Sequence, residues 1–463
     1  MLRRAAWGLA AISLAVALVS VIVFLVGTTG IRWPYFGEAE TVFEAARLRA
    51  GLPLYVDPLV GAREYGVPYS RFYVTYPPLF ALVVRLLPES VALVGSRIVS
   101  ILAWAGSLAW LVASARPGCR RNAAASAIYV GGLWILANFA GTGRPDAFAC
   151  ALATFGLVRT IRRGRVDWLA ALLLVLAPWT KPSLLGLPAG VLLFDALARR
   201  KVDGLLRALS VMVAIGLALG LATDGQVFVH SFLSMAQPLA FANWLANVPA
   251  RAPFFFPLFA LAIVFAWRRR SEHAAFVGLG AIVTATAWVL FSFAKTGSAA
   301  NYWMEPCLAA IAVLAHVEGP YVFGKGGPVA AVATAMFVIY ADVGAVEGSF
   351  SRLASYRREA VFLASARARC HAGPKDVITA DVSGIELALN GRIIAPAYQM
   401  TYLALAGKYP VTLWLHDLES PRVHCHVRTS PLLDALPSIA SYLNEELAPV
   451  AREGDLELLE RRR

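Results

Sequence analysis

Eleven apolar stretches, most of them free of charge, leave this chain few ways to fold. The first, residues 5–26, runs 22 positions without a charged side chain behind Arg3 and Arg4. A removable signal peptide would carry a shorter apolar region, of about 7–15 residues, so a retained membrane anchor is expected. The others fall near 91–114, 123–140, 145–161, 168–180, 183–198, 208–222, 253–267, 274–293, 302–317 and 328–344. Such a chain reads as an all-α polytopic membrane protein of about eleven transmembrane helices. With 59% hydrophobic and 15% charged residues, the composition excludes an ordinary soluble domain.

Charge placement orients the chain. The net charge of +13 lies in residues 1–344, whereas 345–463 balance 14 basic against 14 acidic residues. Nucleic-acid binding is therefore a poor reading of the excess. With the N-terminus inside, the clusters Arg116/Arg120/Arg121, Arg159/Arg162/Arg163/Arg165, Arg199/Arg200/Lys201/Arg207 and Arg268/Arg269/Arg270 all fall in cytoplasmic loops, as positively charged loops should. This requires residues 168–198 to cross twice, with Pro178 and Pro182 supplying the break. It also requires Tyr76–Pro88 to lie along the outer surface as an interfacial helix. The expected location is the bacterial cytoplasmic membrane.

Two regions follow: a transmembrane module over 1–344, with a long outer loop at 27–90, and a small extracytoplasmic α/β domain over 345–463. Within that domain, 377–379, 392–394, 411–415 and 423–427 read as strands and 386–390 and 399–405 as helical. Cys119, Cys150 and Cys307 read as small packing residues. Cys370 and Cys425 lie where oxidation is allowed, so a disulfide is one reading; flanking His371, His424 and His426 leave metal binding as another, though without an established zinc spacing.

Polar residues recur at the outer ends of the stretches. Loop one carries Glu38, Glu40, Glu44, Asp57 and Glu64 among aromatics. Later outer turns carry Arg144 and Asp146, then Lys181, then His230, Gln237, Asn243 and Asn247, then Lys295 ahead of Asn301, Tyr302 and Glu305. Charges near a membrane boundary are costly unless paired or functional, so a cavity opening outward is expected. A carboxylate there can act as general base. Lys181 and Arg144 can hold a phosphate, and Trp33, Tyr35, Phe36 and Tyr76 can stack on a sugar or cover a lipid chain. No P-loop, G-x-S-x-G, H-E-x-x-H or Rossmann glycine pattern stands in a usable context.

The order Gly37–Glu38–Ala39–Glu40, Ala45–Ala46–Arg47, Gly51–Leu52–Pro53–Leu54–Tyr55 and Tyr76–Pro77–Pro78–Leu79 resembles the first outer loop of GT-C glycosyltransferases. These are integral-membrane enzymes that use polyprenyl-phosphate sugars, and the protein O-mannosyltransferase and aminoarabinose-transferase branch is the most similar. Gly143–Arg144–Pro145–Asp146 is similar to that branch's second-loop acid motif, and Thr180–Lys181–Pro182 and Asn301–Tyr302–Trp303–Met304–Glu305 to its later motifs. The resemblance spans about residues 1–320, with a looser echo at Val377–Arg392. It implies Glu38 as catalytic acid/base, with Glu40 as rival because the family often has Asp-Glu where this chain has Gly-Glu. It implies Asp146 as the supporting acid, Lys181 and Arg144 as phosphate ligands, and Tyr76, Asn301, Tyr302 and Glu305 as lining residues.

The function so implied is transfer of a hexosyl or pentosyl group from a polyprenyl-phosphate donor to a lipid, glycan or protein acceptor outside the cytoplasm. The donor is a co-substrate. Loop one has no D-x-D triplet, so no metal and no other cofactor is expected. A transporter or lipid flippase is the alternative, but it predicts repeated halves and charges at mid-span, and neither pattern is seen. A catalytically dead scaffold would have lost the loop-one acids, and both are present.

Overall fold

The computed structural model describes residues 37–60, 74–319, 357–370 and 376–462, apart from positions 58, 236, 296, 297 and 430, together with Ala15 and Ser355. The apolar stretches at 5–26 and 328–344, and the aromatics Trp33, Tyr35 and Phe36, lie outside the described residues.

Each apolar stretch between 91 and 317 is helical. In chain order the helices are α1 (Glu38–Arg49), α2 (Leu79–Arg85), α3 (Ala92–Ala113), α4 (Arg120–Gly132), α5 (Trp134–Ala140), α6 (Asp146–Arg163) and α7 (Trp168–Leu176). They continue as α8 (Gly186–Arg199), α9 (Asp203–Ala222), α10 (Gln226–Met235), α11 (Phe241–Arg268), α12 (His273–Ser292) and α13 (Met304–His316). Among the described residues, four segments are long and apolar enough to cross a membrane by themselves: Glu89–Ala113, Asp203–Ala222, Phe241–Arg268 and His273–Ser292. The expected count of about eleven spans is thus not reproduced by length and apolarity. Two of the eleven stretches lie outside the described residues, and shorter helices account for others: α7, at 9 residues, rises only about 14 Å against a hydrocarbon core of about 30 Å.

The break at Pro178 and Pro182 separates α7 from α8. Segment 224–252, expected as an outer loop, is instead largely helical, carried by α10 and the start of α11. Helix α11 continues through Pro249, Pro253 and Pro257. Prolines are tolerated in membrane helices because neighbouring groups satisfy the freed carbonyls. Helices α8 and α12 approach at backbone distance. A Cβ on Gly190 would collide with Thr284 Oγ1, and Thr284 Oγ1 donates to Gly186 O at 2.9 Å. Small residues at such a crossing let two membrane helices pack by close contact.

The C-terminal part carries helical residues 357–370 (α14), then α15 (Ser383–Asn390), α16 (Ala397–Leu405), α17 (Val411–Leu418) and α18 (Pro437–Glu445). These accompany a four-stranded sheet of order β1-β2-β4-β3: β1 (Val377–Ala380), β2 (Val423–Arg428), β3 (Leu447–Glu453) and β4 (Leu456–Arg461). Strand β1 pairs parallel with β2, Ile378 opposite Cys425; β4 pairs antiparallel with both β2 and β3. Cys370 and Cys425 form a disulfide with a Cα separation of 6.1 Å, which ties α14 to β2 and excludes the metal reading for these cysteines.

Two expected strands are corrected. Residues 411–415 belong to α17: Pro410 precedes the helix, and its buried residues Trp414, Asp417 and Leu418 recur at helical spacing. Residues 392–394 form no strand, because the Ile394 and Ala395 amides donate to the Glu386 carboxylate instead of a ladder, at 2.8 and 3.2 Å.

The described chain forms two compact units. One takes Arg97–Ala218 and the residues from Leu239 to 319; the other takes residues 37–96, Leu219–Pro238 and the residues from 355 onward. Loop one therefore clusters with the C-terminal α/β part, and α1 packs on both α2 and α15.

Candidate active site

In the first unit, Asp146 opens α6, where the helix dipole favours a negative charge. Its Oδ1 accepts from both Lys181 Nζ and the Asn301 amide, and its Oδ2 lies 3.3 Å from Arg144 Nε. All four side chains are buried. The cluster is built from three separate turns. Ser100 Oγ donates to Arg144 O at 2.9 Å and fixes the 143–146 turn. The proline-bounded turn between α7 and α8 presents Lys181. A 3-10 turn at Ala300–Trp303 presents Asn301.

That last turn is held by aromatic packing. Trp303 is fully buried, stacks on Phe255 at 4.9 Å between centroids, and meets Phe293 at 5.4 Å. Tyr302 offers its ring to Lys181 Nζ at 5.2 Å, a cation–π distance. Glu305, one turn further, accepts from the Leu187 amide at 2.6 Å. Among the described residues, Asn301 Oδ1 and Glu305 Oε2 have no protein hydrogen-bond donor. Arg144, Asp146, Lys181, Asn301, Tyr302 and Glu305 thus fall in one unit, and two buried cations share one carboxylate.

Lys295 joins this group electrostatically. Burial and the neighbouring Lys181 charge lower its ammonium pKa to about 8. The sequence shows Lys295 only as one polar residue of an outer turn; its closeness to Lys181 comes from folding, and nothing in local spacing marks it.

The second unit holds Glu38, Glu40 and Tyr76. Gly37 starts α1 at φ 83°, a left-handed conformation that glycine adopts without strain. Glu38 is fully buried, and Glu40, Glu44 and Arg47 are buried with it. Glu40, Glu44 and Arg47 share one helix face by their spacing. Burial, reinforced by the Glu40 charge, pushes the Glu44 carboxyl well above the usual range. That i, i+4 spacing is the sequence signal for Glu44. Arg47 clamps the following turn by donating from Nε and Nη2 to Pro53 O at 3.0 and 2.7 Å.

Tyr76 is half-buried, and its carbonyl accepts from Tyr55 OH at 3.1 Å. His230 joins the two ends of loop one: its Nδ1 accepts from the Val74 amide at 3.0 Å and its Nε2 donates to Val56 O at 2.7 Å. Burial lowers its pKa to about 4, so the ring is neutral near pH 7 and serves both bonds. Among the described residues no group of three His, Cys, Asp or Glu side chains could hold a metal ion.

No protein-family model and no curated protein matches the chain. Solved structures do. The crystal structure of ArnT from Cupriavidus metallidurans bound to undecaprenyl phosphate aligns over 96% of this chain and 97% of its own, with a TM-score of 0.55 and 14% identity. The apo structure of the same protein aligns over 98% of each chain, with a TM-score of 0.52 and 14% identity. The chain thus shares the fold of this protein over nearly its whole length.

Proposed function

We propose that this GT-C-fold chain is a membrane glycosyltransferase that moves a sugar from a polyprenyl-phosphate donor to a lipid, glycan or protein acceptor. The reaction takes place at the extracytoplasmic face. The observation that carries this reading is the pair of buried cations, Arg144 and Lys181, gathered on the single carboxylate of Asp146. It stands in a fold similar to that of a protein crystallised with undecaprenyl phosphate.

Each part has a task. Arg144, Lys181 and Lys295 hold the donor phosphate and stabilise it as leaving group. Asp146 holds Lys181 and Arg144 in place. Asn301 Oδ1 and Glu305 Oε2 accept hydrogen bonds from sugar hydroxyls. Glu38 takes the proton of the acceptor, and Glu40 is the alternative base. As the acceptor oxygen or nitrogen bonds to the anomeric carbon, the carbon–oxygen bond to the phosphate breaks and polyprenyl phosphate departs with its electron pair. No metal or other cofactor enters this scheme.

The test is transfer of a labelled sugar from polyprenyl-phosphate sugar to endogenous acceptors by the full chain in membranes. Movement of the lipid across the bilayer without transfer would support the flippase alternative instead. The assay also reads Lys295. The charged form binds the phosphate and prevails below its pKa of about 8, so donor KM should rise as pH passes 8. Lys295→Gln should flatten the profile at a raised KM. A flat profile in the unsubstituted protein would remove Lys295 from the donor site.

The C-terminal domain belongs outside the cytoplasm in this proposal. The Cys370–Cys425 bond supports that placement, since such bonds persist in oxidising compartments. A reporter active only in the cytoplasm, fused after Arg463, should be silent; a bright fusion would reverse the topology.

A further inference from the structure

A concave surface lies at the end of α6 far from Asp146. Asp146 opens this helix and Arg162 and Arg163 close it, so the two ends stand roughly 25 Å apart at about 1.5 Å per residue, comparable to a membrane's hydrocarbon thickness. At the arginine end a groove of about 680 Å³ is lined by Trp110, Phe155, Val158, Leu169 and Leu173 beneath Arg159, Arg162 and Arg163. Trp110 and Phe155 meet edge to face at 5.9 Å and form one wall. The volume falls within the range of sites that bury a single small ligand, about 300–1,000 Å³.

The three arginines are not equivalent. Arg159 is committed to Asp167: its Nε donates to Oδ1 at 2.8 Å and its Nη2 lies 2.5 Å from Oδ2. Asp167 in turn caps α7 by accepting from the Ala170 amide at 2.9 Å. Arg162 and Arg163 are exposed and form no ion pair among the described residues. An apolar trough ending in two uncommitted guanidinium groups matches one ligand shape, an acyl chain that ends in a phosphate. Guanidinium groups suit phosphate because their donors match its oxygens in pairs.

We infer that this groove holds one anionic phospholipid, its acyl chain along Trp110, Phe155 and Leu173 and its phosphate on Arg162 and Arg163. The site is separate from the donor site proposed above, at the other end of α6, and the inference does not depend on which reaction the protein performs.

The full chain in neutral detergent, titrated with phosphatidylglycerol or phosphatidylcholine and read by intact-complex mass spectrometry, tests this directly. One equivalent of phosphatidylglycerol should bind more tightly than phosphatidylcholine. The double variant Arg162→Gln/Arg163→Gln should weaken phosphatidylglycerol roughly thirty-fold, the effect of two interfacial cations, and phosphatidylcholine, whose choline offsets its phosphate charge, by much less. Trp110→Ala should weaken both lipids. Equal binding of the two lipids, or undiminished phosphatidylglycerol binding in the double variant, would overturn the inference. Glycerol phosphate competing as well as the intact lipid would reduce the site to a headgroup contact and overturn it too. If an apolar segment of this chain, such as 5–26, occupies the groove, neither lipid will bind stoichiometrically, and the inference falls in that case as well.

Discussion

Glu38→Gln is expected to lower sugar transfer by about 10²–10⁴-fold, or roughly 3–5 kcal/mol of transition-state stabilisation, with little change in the amount of folded protein. The amide keeps the size and most of the hydrogen bonding of the carboxylate, but it cannot take the acceptor's proton. Glu38 is fully buried at the first turn of α1, so its replacement alters chemistry more than surface charge. Glu40→Gln, at matched protein levels, separates the two acids. Retained activity in Glu38→Gln with loss in Glu40→Gln would move the base by two residues. Retained activity in both would defeat the glycosyltransferase mechanism.

Asp146→Asn should act on stability before it acts on rate. It removes the carboxylate that Lys181 and Arg144 share, so two buried cations lose a common counter-charge. Breaking a buried pair in this way typically costs about 3–5 kcal/mol. Thermal unfolding in detergent should show a large drop in melting temperature. If the proposed donor site is correct, undecaprenyl phosphate should restore part of the loss by supplying negative charge at the same place; a hundredfold excess over Kd stabilises by about 2.7 kcal/mol. An unchanged melting temperature would mean the cluster is not a structural clamp. A drop that the lipid does not offset would argue against phosphate binding there.

Much of this is legible in the sequence, and the reasons differ by part. Long apolar runs mark helices because burial in lipid demands them, so α3, α6, α9, α12 and α13 fall where expected. Gly143–Asp146, Thr180–Pro182 and Asn301–Glu305 announce themselves as polar turns at the ends of those runs, and folding draws them together around Asp146. Val411–Leu415 misleads because Val, Thr and Trp favour strands, whereas burial at Trp414 and Leu418 favours a helix. The β3–β4 hairpin escapes a reading of the sequence because its strands are rich in Glu and Arg and carry Pro449. Lys295 and His230 carry no local signature of their roles. Each is defined by partners far along the chain, Lys181 for one and Val56 and Val74 for the other.

The packing of α1 on α15 also sets a timetable for biogenesis. A ribosome that has finished α1 must add more than three hundred residues before α15 emerges. Until then α1, which carries the buried acids Glu38, Glu40 and Glu44, lacks one of its packing partners. Contacts so distant in sequence form late, because their loop-closure cost comes before their reward. Competence therefore arrives only when the last quarter of the chain has been made and folded. A chain stopped short of residue 383 would insert its membrane helices and still carry an unfinished loop one. Premature termination before α15 should accordingly impair the proposed transfer activity more than the loss of a tail would.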